Sequence, residues 1–261
     1  MTTAVAAVAA LYFTGQTLRA TNAQNSTTRE SAITDRLAKA TEQLSSEKIN
    51  SQLAGIYLLE RLANDSPTDR GTTVELLSAY VRNEAPASKC TVPAMNAGPG
   101  IRLAANIQAA ITVLGRMPHG GTVVDLSYAC LVGADMKRGN FSNTLFNDSV
   151  LARANFVETN LSGSLFRDAN FQLGNFNRSN LSYTFWGGAN ATSAVFVSTD
   201  VTGAEFLDVD ISGADLSRID GLTLEHFILA LDKPYTIADA IVHCDQVTDW
   251  PEGFTPPRCS P

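Results

Sequence analysis

A large apolar residue recurs at every fifth position from Leu126 to Leu216. A spacing of five does not suit an α-helix, because side chains that rotate by about 100° per residue would then spread around the helix axis. It does not suit one straight strand either, since an odd spacing sends successive side chains to opposite faces. Ala191 is the one position in this series that is not bulky. The period therefore predicts a chain that changes direction every five residues.

A second column, made of small residues, lies two positions before the first. From Ala129 to Ala214 it contains only Ala, Gly, Ser and Thr, apart from Val209. One large and one small inward residue in every five favour a square coil of twenty residues. Such coils stack about 4.8 Å apart, as strands do in a sheet, and each coil buries its inner residues against the next. The predicted core includes Phe146, Phe166, Trp186 and Phe206 in one column, and Phe156, Phe171, Phe176 and Phe196 in two others.

The repeats resemble a known family. The stretches "ADMKRGNF", "ARANFVETNL", "DANFQLGNF" and "GADLSRI" are similar to the A(D/N)Lxx motif of the pentapeptide-repeat family. The resemblance covers roughly residues 122–220 and implies a mainly β solenoid, a right-handed quadrilateral β-helix, here preceded by a small all-α domain. It also implies a non-catalytic scaffold or protein–protein interaction module. The helical stretch before the repeats is similar to one that bacterial members carry, commonly behind transmembrane helices.

The segments around the repeats are assigned from their composition and periodicity. We expect a helical, HEAT-like domain with its first strongly patterned helix beginning near Thr28, and a Pro- and Gly-containing linker after it. A further helix then packs on the start of the solenoid, and a cap with a loop-like tail closes its other end. The expected ranges are 19–85 for the helical domain, 86–100 for the linker, 101–117 for the helix, 122–220 for the repeats and 221–261 for the cap and tail.

Residues 1–18 carry no charge, but their strongly apolar part, residues 4–13, is short for a membrane span, which needs about 20 residues. The segment also lacks the basic start of a secretory signal peptide. Two interpretations remain: the remnant of a membrane anchor, or an N-terminal helix. If it is an anchor, the arginines that follow it would keep the chain at the inner face of the membrane. The expected location is cytoplasmic, with or without this tether.

Outward residues just before the core positions form four columns. Three are mostly polar, and their asparagines predict amide ladders that bond from coil to coil. The fourth column is apolar at Leu145, Leu165 and Phe185 and is bounded by Asp125 and Glu205. An outward apolar column of this kind indicates something that covers it. The N-terminal helices, a second copy in a homodimer and an unknown protein partner are the alternatives.

Acidic charge is concentrated in the second half, although the whole chain has a net charge of only −7. No direct binding of nucleic acid is expected from this balance. Some pentapeptide-repeat proteins are similar to B-DNA in shape and charge and bind DNA gyrase, which makes DNA mimicry the alternative function, with Asp208, Asp210 and Asp215 as candidate residues. Five coils span about 23 Å, and duplex DNA of that length carries about 13 charges. Residues 121–220 contain 11 acidic and 6 basic residues, which is too small an excess for a close mimic.

No pattern in the chain indicates catalysis, a metal or a cofactor. The three histidines lie far apart and outside the repeats, and no nucleophile, phosphate-loop or dinucleotide motif occurs. The four cysteines, Cys90, Cys130, Cys244 and Cys259, have no metal-ligand spacing. We expect them to be reduced thiols, while a Cys244–Cys259 disulfide remains open if the protein is exported.

Overall fold

The fold is described from a computed structural model, and the chain separates into two compact units, Met1–Leu62 and Ala63–Pro261. The helices are α1 (Thr2–Leu44), α2 (Ile49–Asp65), α3 (Arg70–Glu84) and α4 (Ala105–Arg116), and the two short strands are β1 (Val209–Asp210) and β2 (Val242–His243). The described residues are 2–98, 100–219, 222, 242–244, 247–253 and 255–256.

The first unit contains α1 and most of α2. Helix α1 is continuous from Thr2 to Leu44, so residues 2–18 are helical and the predicted helix start near Thr28 is wrong. The two helices meet where Gly55 faces the end of α1: a Cβ atom on Gly55 would lie 2.9 Å from the carbonyl oxygen of Ala40. Among the residues that the structure describes, no helix has the length and apolar character needed to cross a membrane.

The second unit joins α3 and α4 to the repeats. The two helices pack together, and the buried Asn106 side chain of α4 donates a hydrogen bond of 2.9 Å to the hydroxyl of Tyr80 on α3. Burial raises the pKa of Tyr80 above its usual value. The unit therefore begins at Ala63, and the chain does not divide at the predicted limit of the helical domain near residue 85.

The repeats form a coil with twenty residues per turn. Parallel bridges join residues that are twenty apart, such as Leu145 with Leu165, Leu165 with Phe185, and Asn160 with Asn180. Such bridges continue from Asp125 to Asp215, each between single residues, because the chain turns a corner before a longer strand can form. The structure thus confirms the square coil, whose four sides are named here after their first core residues: the Leu126, Leu131, Met136 and Phe141 sides.

The core is filled by the predicted large residues, and all eight predicted aromatic rings are at most 2% exposed. On the Met136 side, Phe156, Phe176 and Phe196 stack with centroid distances of 4.7 and 4.9 Å, close to the spacing of the coils. Trp186 extends across the core and contacts aromatic rings of three sides. Its indole N–H donates to the hydroxyl of Thr184 at 2.9 Å, so its one polar group is paired.

Ala191 and Trp186 share space in the core. The indole lies 5.0 Å from the ring of Phe171, which is one coil below Ala191 on the same side. We expect Ala191→Leu to overpack this region and lower the free energy of unfolding by about 1–3 kcal/mol. Adding Trp186→Phe should recover part of that loss, as a double-mutant cycle in urea would measure. A loss below about 0.5 kcal/mol in the single variant would rule out the shared-volume explanation.

The open lower edge of the first coil is capped on each of its four sides by residues of the preceding segment. Arg82 of α3 donates to the carbonyl of Asp125 at 3.0 Å, and residues 85–87 pair antiparallel with residues 128–130. The side-chain amide of Gln108 imitates a peptide group, because it donates to the carbonyl of Asp135 at 2.7 Å and accepts its N–H at 2.9 Å. The carbonyl of Gly115 accepts the N–H of Asn140 at 2.7 Å. These contacts satisfy edge groups that would otherwise invite pairing with another chain.

Helix α4 also closes the lower end of the core through Gly115. A Cβ atom on Gly115 would lie 2.7 Å from Cε2 of Phe141, closer than real contacts allow. We expect Gly115→Ala to lower the free energy of unfolding by about 1–3 kcal/mol. The cost should be smaller when alanine is introduced into a Phe141→Leu background, where the ring is absent. Equal costs in the two backgrounds, measured by urea unfolding, would contradict this packing.

The coil does not end at residue 220 as predicted. β2 pairs in parallel with β1, Val242 opposite Val209, and Asp249 pairs with Asp215. These partners are 33 and 34 residues apart in sequence instead of twenty, which is why the five-residue count did not find them. Val242, His243 and Asp249 thus continue the solenoid above the Leu131 and Met136 sides. The helix predicted from "TLEHFILALD" lies outside the described residues.

The prediction of reduced thiols is wrong for Cys90 and Cys130. They form a disulfide with a Cα–Cα distance of 5.4 Å, which joins the predicted linker to the first coil. Cys244 is disulfide-bonded as well, and Cys259 lies outside the described residues. None of the described cysteines is a free thiol. Sequence spacing did not reveal the first pair because its members meet only when the linker folds back onto the coil.

Candidate interaction surface

Each repeat presents three residues outward: one before the core residue and two after it. The second residue after the core position has a positive φ, for example 58° at Tyr183 and 60° at Leu173, and glycine takes this place at Gly163 and Gly203. This residue forms the corner. Its identity is not restricted to glycine, so corners can present large or charged side chains.

The predicted apolar column lies on the Leu126 side. Leu145, Leu165 and Phe185 occupy successive coils, joined by the bridges that also connect them to Asp125 below and Glu205 above. Leu165 is 39% exposed, and the other two are half-buried. These three residues are called the apolar stripe below. The lower end of the stripe is fixed by the ion pair of Arg82 with Asp125.

Tyr183 was not among the predicted surface residues, and it enlarges this surface. Tyr183 is 71% exposed and occupies the corner just before Phe185. Its ring lies against Gly203 in the next coil, where a Cβ atom would be 2.8 Å from Cδ1 of the ring. The ring of Phe185 lies over Gly187 in the same way, at 2.7 Å. Both glycines therefore leave room for an aromatic ring to lie flat, a signal that was present in the sequence.

Carboxylates stand beside the apolar stripe. Asp148, Asp168 and Asp208 occupy the corner that ends the Leu126 side in three of the five coils, each with a positive φ. Arg167 lies between the stripe and this corner and forms an exposed ion pair with Asp168 at 3.4 Å. Such a pair contributes little stability. The stripe is thus bordered on one side by a mostly acidic corner.

The three acidic residues considered for DNA mimicry do not share one face. Asp208 is at a corner, Asp210 is on the Leu131 side and Asp215 is on the Met136 side. The carboxylates of Asp210 and Asp215 each accept the backbone N–H two residues later, at 3.0 Å in both cases. Their first role is therefore to close the local turn.

The asparagine columns act mainly within their own coils. The side-chain oxygens of Asn170, Asn175, Asn180 and Asn190 accept the N–H two residues later, as in an Asx turn. Amide bonds from coil to coil, the ladder that the sequence predicts, occur from Asn160 to Asn140 and from Asn155 to Asp135, at 3.0 and 3.1 Å.

At two positions where the column is apolar, an asparagine of the coil below supplies the side-chain oxygen that accepts the backbone N–H of the turn. Leu165 and Val195 cannot accept the N–H of Arg167 and Val197, which stand two residues later. Asn147 and Asn177, one coil below, accept these N–H groups at 3.1 and 3.2 Å. The exposed apolar position of Leu165 is thus accompanied by a compensating polar contact.

Positively charged residues lie at the corner that ends the Met136 side. Arg138 contacts Glu158 at 2.8 Å, and Arg178 lies 3.7 Å from the same carboxylate. The hydrogen bond and positive charge of Arg138 hold the pKa of Glu158 below its usual value. This alternation of charges across three coils leaves no continuous acidic row on that corner.

Metal binding has no support in the described part of the chain. This part of the chain contains no group of three or more His, Cys, Asp or Glu residues placed to hold a metal ion. A ring nitrogen of His119 lies 2.8 Å from the carbonyl of Leu114 at the end of α4, which is a capping contact.

The twenty-residue coil and its columns can be compared with known proteins. The model of the family described as pentapeptide repeats matches residues 145–182 and 169–206. Residues 145–206 are pentapeptide repeats. The pentapeptide-repeat region includes the apolar stripe and Tyr183, while the helices before it lie outside the match. No curated protein matches this sequence.

Solved structures of pentapeptide-repeat proteins are similar to this chain at low identity. HetL, described as involved in heterocyst differentiation regulation in the cyanobacterium Nostoc sp. PCC 7120, is 24% identical, with a TM-score of 0.36, over 38% of this chain and 41% of its own. Rfr23 of the cyanobacterium Cyanothece 51142 is 20% identical, with a TM-score of 0.33, over 49% and 64%. QnrB1, a plasmid-mediated fluoroquinolone resistance protein, is 20% identical, with a TM-score of 0.23, over 49% and 71%. The chain spans less than two thirds of the first two proteins.

Proposed function

We propose that this chain is a non-catalytic scaffold that binds a protein partner through the apolar stripe and Tyr183. The observation that carries the proposal is the exposure of Leu165 and Tyr183, at 39% and 71%, beside the half-buried Phe185. Apolar side chains clustered on one surface in this way are typical of protein interaction sites. The right-handed winding implied by the family resemblance belongs to the same proposal.

The backbone beneath the stripe is held by the coil itself. The backbone N–H of Leu165 donates to the carbonyl oxygen of Thr144 at 3.0 Å, and that of Phe185 donates to the carbonyl oxygen of Ser164 at 3.1 Å. Both acceptors lie in the coil below. A partner would therefore meet a surface that is already ordered. This lowers the entropy cost of binding and supports recognition by a flat, rigid face.

The acidic corner indicates the chemistry of the partner. A surface that binds here meets apolar side chains at the stripe and the carboxylates of Asp148 and Asp168 at its border. Complementary charge would come from Lys or Arg residues that flank an apolar patch on the partner. The filled core supports a role at the surface, since the interior holds aromatic rings where a ligand pocket would have to lie.

Changing Phe185 to Asp is expected to abolish partner binding. A carboxylate at position 185, in the stripe and next to Tyr183, would have to lose its hydration on binding, which costs more free energy than the contact contributes. The test immobilises the purified chain, captures proteins from its own cells, and compares wild type with the Phe185→Asp and Leu165→Asp variants. Proteins retained by wild type and lost from both variants are the expected result.

Asn175→Asp is the matched control, because it adds the same charge at the equivalent position of another side and keeps the turn acceptor for the N–H of Asn177. It should retain the partner. Circular dichroism would establish that all variants are folded. Identical capture by wild type and Phe185→Asp would refute the stripe as the binding surface. If light scattering instead shows that wild type is a dimer and Phe185→Asp a monomer, the partner is a second copy.

DNA mimicry is the less favoured alternative. Asp208, Asp210 and Asp215 point along different sides, and the Arg138–Glu158–Arg178 series places positive charge on the Met136 side. We therefore expect no inhibition of gyrase supercoiling at micromolar concentrations. Inhibition that is lost when the three aspartates are neutralised would reverse this preference.

A further inference from the structure

The Cys90–Cys130 pair lies where the segment before the repeats meets the first coil of the solenoid. Cys130 is an outward residue of the first coil on the Leu131 side, where it forms a parallel bridge with Val150 of the next coil. Cys90 follows a 3-10 turn, Ala87–Lys89, at the end of the segment that pairs with that coil. Both cysteines are half-buried, so their sulfur atoms are not sealed in the core.

Backbone contacts hold the two cysteines together independently of the disulfide. The N–H of Ala87 donates to the carbonyl of Tyr128 at 2.7 Å, and the N–H of Cys130 donates to the carbonyl of Ala85 at 2.6 Å. The antiparallel bridge of Pro86 with Ala129 lies between these bonds. The fold of the reduced chain would therefore already place the two thiols side by side.

Pairing extends to the other end of the chain as well, since Cys244 is disulfide-bonded too. Proteins of reducing compartments seldom keep structural disulfides, because glutathione and thioredoxin reduce them. A chain whose described cysteines are all bonded fits an oxidising compartment instead.

We infer that Cys90 and Cys130 are a substrate site for a disulfide-bonded thiol oxidoreductase, and that the protein acquires this bond in an oxidising compartment. This inference replaces the cytoplasmic location expected from the sequence. It is independent of the proposed scaffold function, which concerns a different surface.

The reaction is a thiol–disulfide exchange in two steps. One cysteine thiolate attacks a sulfur atom of the disulfide in the oxidoreductase, forms a mixed disulfide and releases the second sulfur atom of the oxidoreductase as a thiolate. The other cysteine thiolate then attacks its partner's sulfur, which closes the Cys90–Cys130 bond and releases the first sulfur of the oxidoreductase. Two thiols of this chain are oxidised, the oxidoreductase disulfide is reduced by two electrons to a dithiol, and two protons pass from one pair to the other.

The state of the pair can be measured in the cells that make the protein. Cells are quenched with acid, and free thiols are tagged with a polyethylene-glycol maleimide that shifts the chain on a gel. A Cys244→Ser/Cys259→Ser variant isolates the first pair. We expect no tag before reduction and two tags after it. Two tags before reduction would overturn the inference.

A rate measurement tests whether the fold presents the pair for oxidation. The same variant is reduced and then mixed with oxidised glutathione or with a disulfide-bonded Cys-x-x-Cys oxidoreductase. Each reaction is run once with the variant folded in buffer and once with the variant unfolded in urea. Closure of the bond should be at least tenfold faster in the folded chain after correction for the effect of urea on a model dithiol peptide. Equal corrected rates would overturn the assignment of a preformed site.

Discussion

Replacing Trp186 with alanine is expected to lower the free energy of unfolding by about 3–5 kcal/mol. The indole is fully buried, and its ring centroid lies 4.5 Å from that of Phe166 and 5.0 Å from that of Phe171. Its removal would leave a cavity between coils that cannot close, because the spacing of the coils is set by backbone hydrogen bonds. Urea unfolding followed by far-ultraviolet circular dichroism would measure the loss.

Phe185→Ala serves as the control for this variant. It removes the adjacent aromatic ring, which lies outside the core and is only half-buried. Its cost should stay below about 1.5 kcal/mol. If the free energy of unfolding of Trp186→Ala is within about 1 kcal/mol of the wild-type value, the core around this residue is not packed as the ring distances indicate.

Removing the disulfide with a Cys90→Ser/Cys130→Ser variant is expected to lower the free energy of unfolding by about 4 kcal/mol. The bond closes a loop with a sequence separation of 40, and that loop contains α4, which seals the lower end of the core. The greater freedom of the unfolded chain accounts for most of the expected loss. Urea unfolding without reductant would compare the variant with wild type.

Reductant provides the internal control. In a background that lacks Cys244 and Cys259, wild-type Cys90 and Cys130 should unfold with reductant at the same urea concentration as the serine variant. If the serine variant is as stable as the oxidised protein, the disulfide contributes nothing to the free energy of unfolding.

The repeated core could be predicted because each of its positions is specified locally. Phe166 and Trp186 are twenty residues apart, and the same small and large residues recur between them, so counting alone placed them in adjacent coils. The apolar stripe followed from the same count. Tyr183 was missed because the count assigned no role to corner residues.

The contacts that end the solenoid could not be predicted in the same way. Gln108 caps an edge through one side-chain amide, and nothing about a glutamine on a helix indicates that it will meet the backbone of Asp135. The pairing of Val242 with Val209 depends on a return of the chain over a distance unrelated to the period. The partner of Cys90 was hidden for the same reason, since it requires the linker to fold back. Periodicity reports contacts between equivalent residues, and each of these contacts joins residues that are not equivalent.

The return of the chain at Val242 has a consequence for the upper edge of the solenoid. Asp210 is paired with Asn190 in the coil below and with His243 above, and Asp215 is paired with Val195 below and with Asp249 above. At these two positions the backbone of the last coil is therefore closed to strand addition by a second molecule, which would otherwise lengthen the solenoid from one copy into the next.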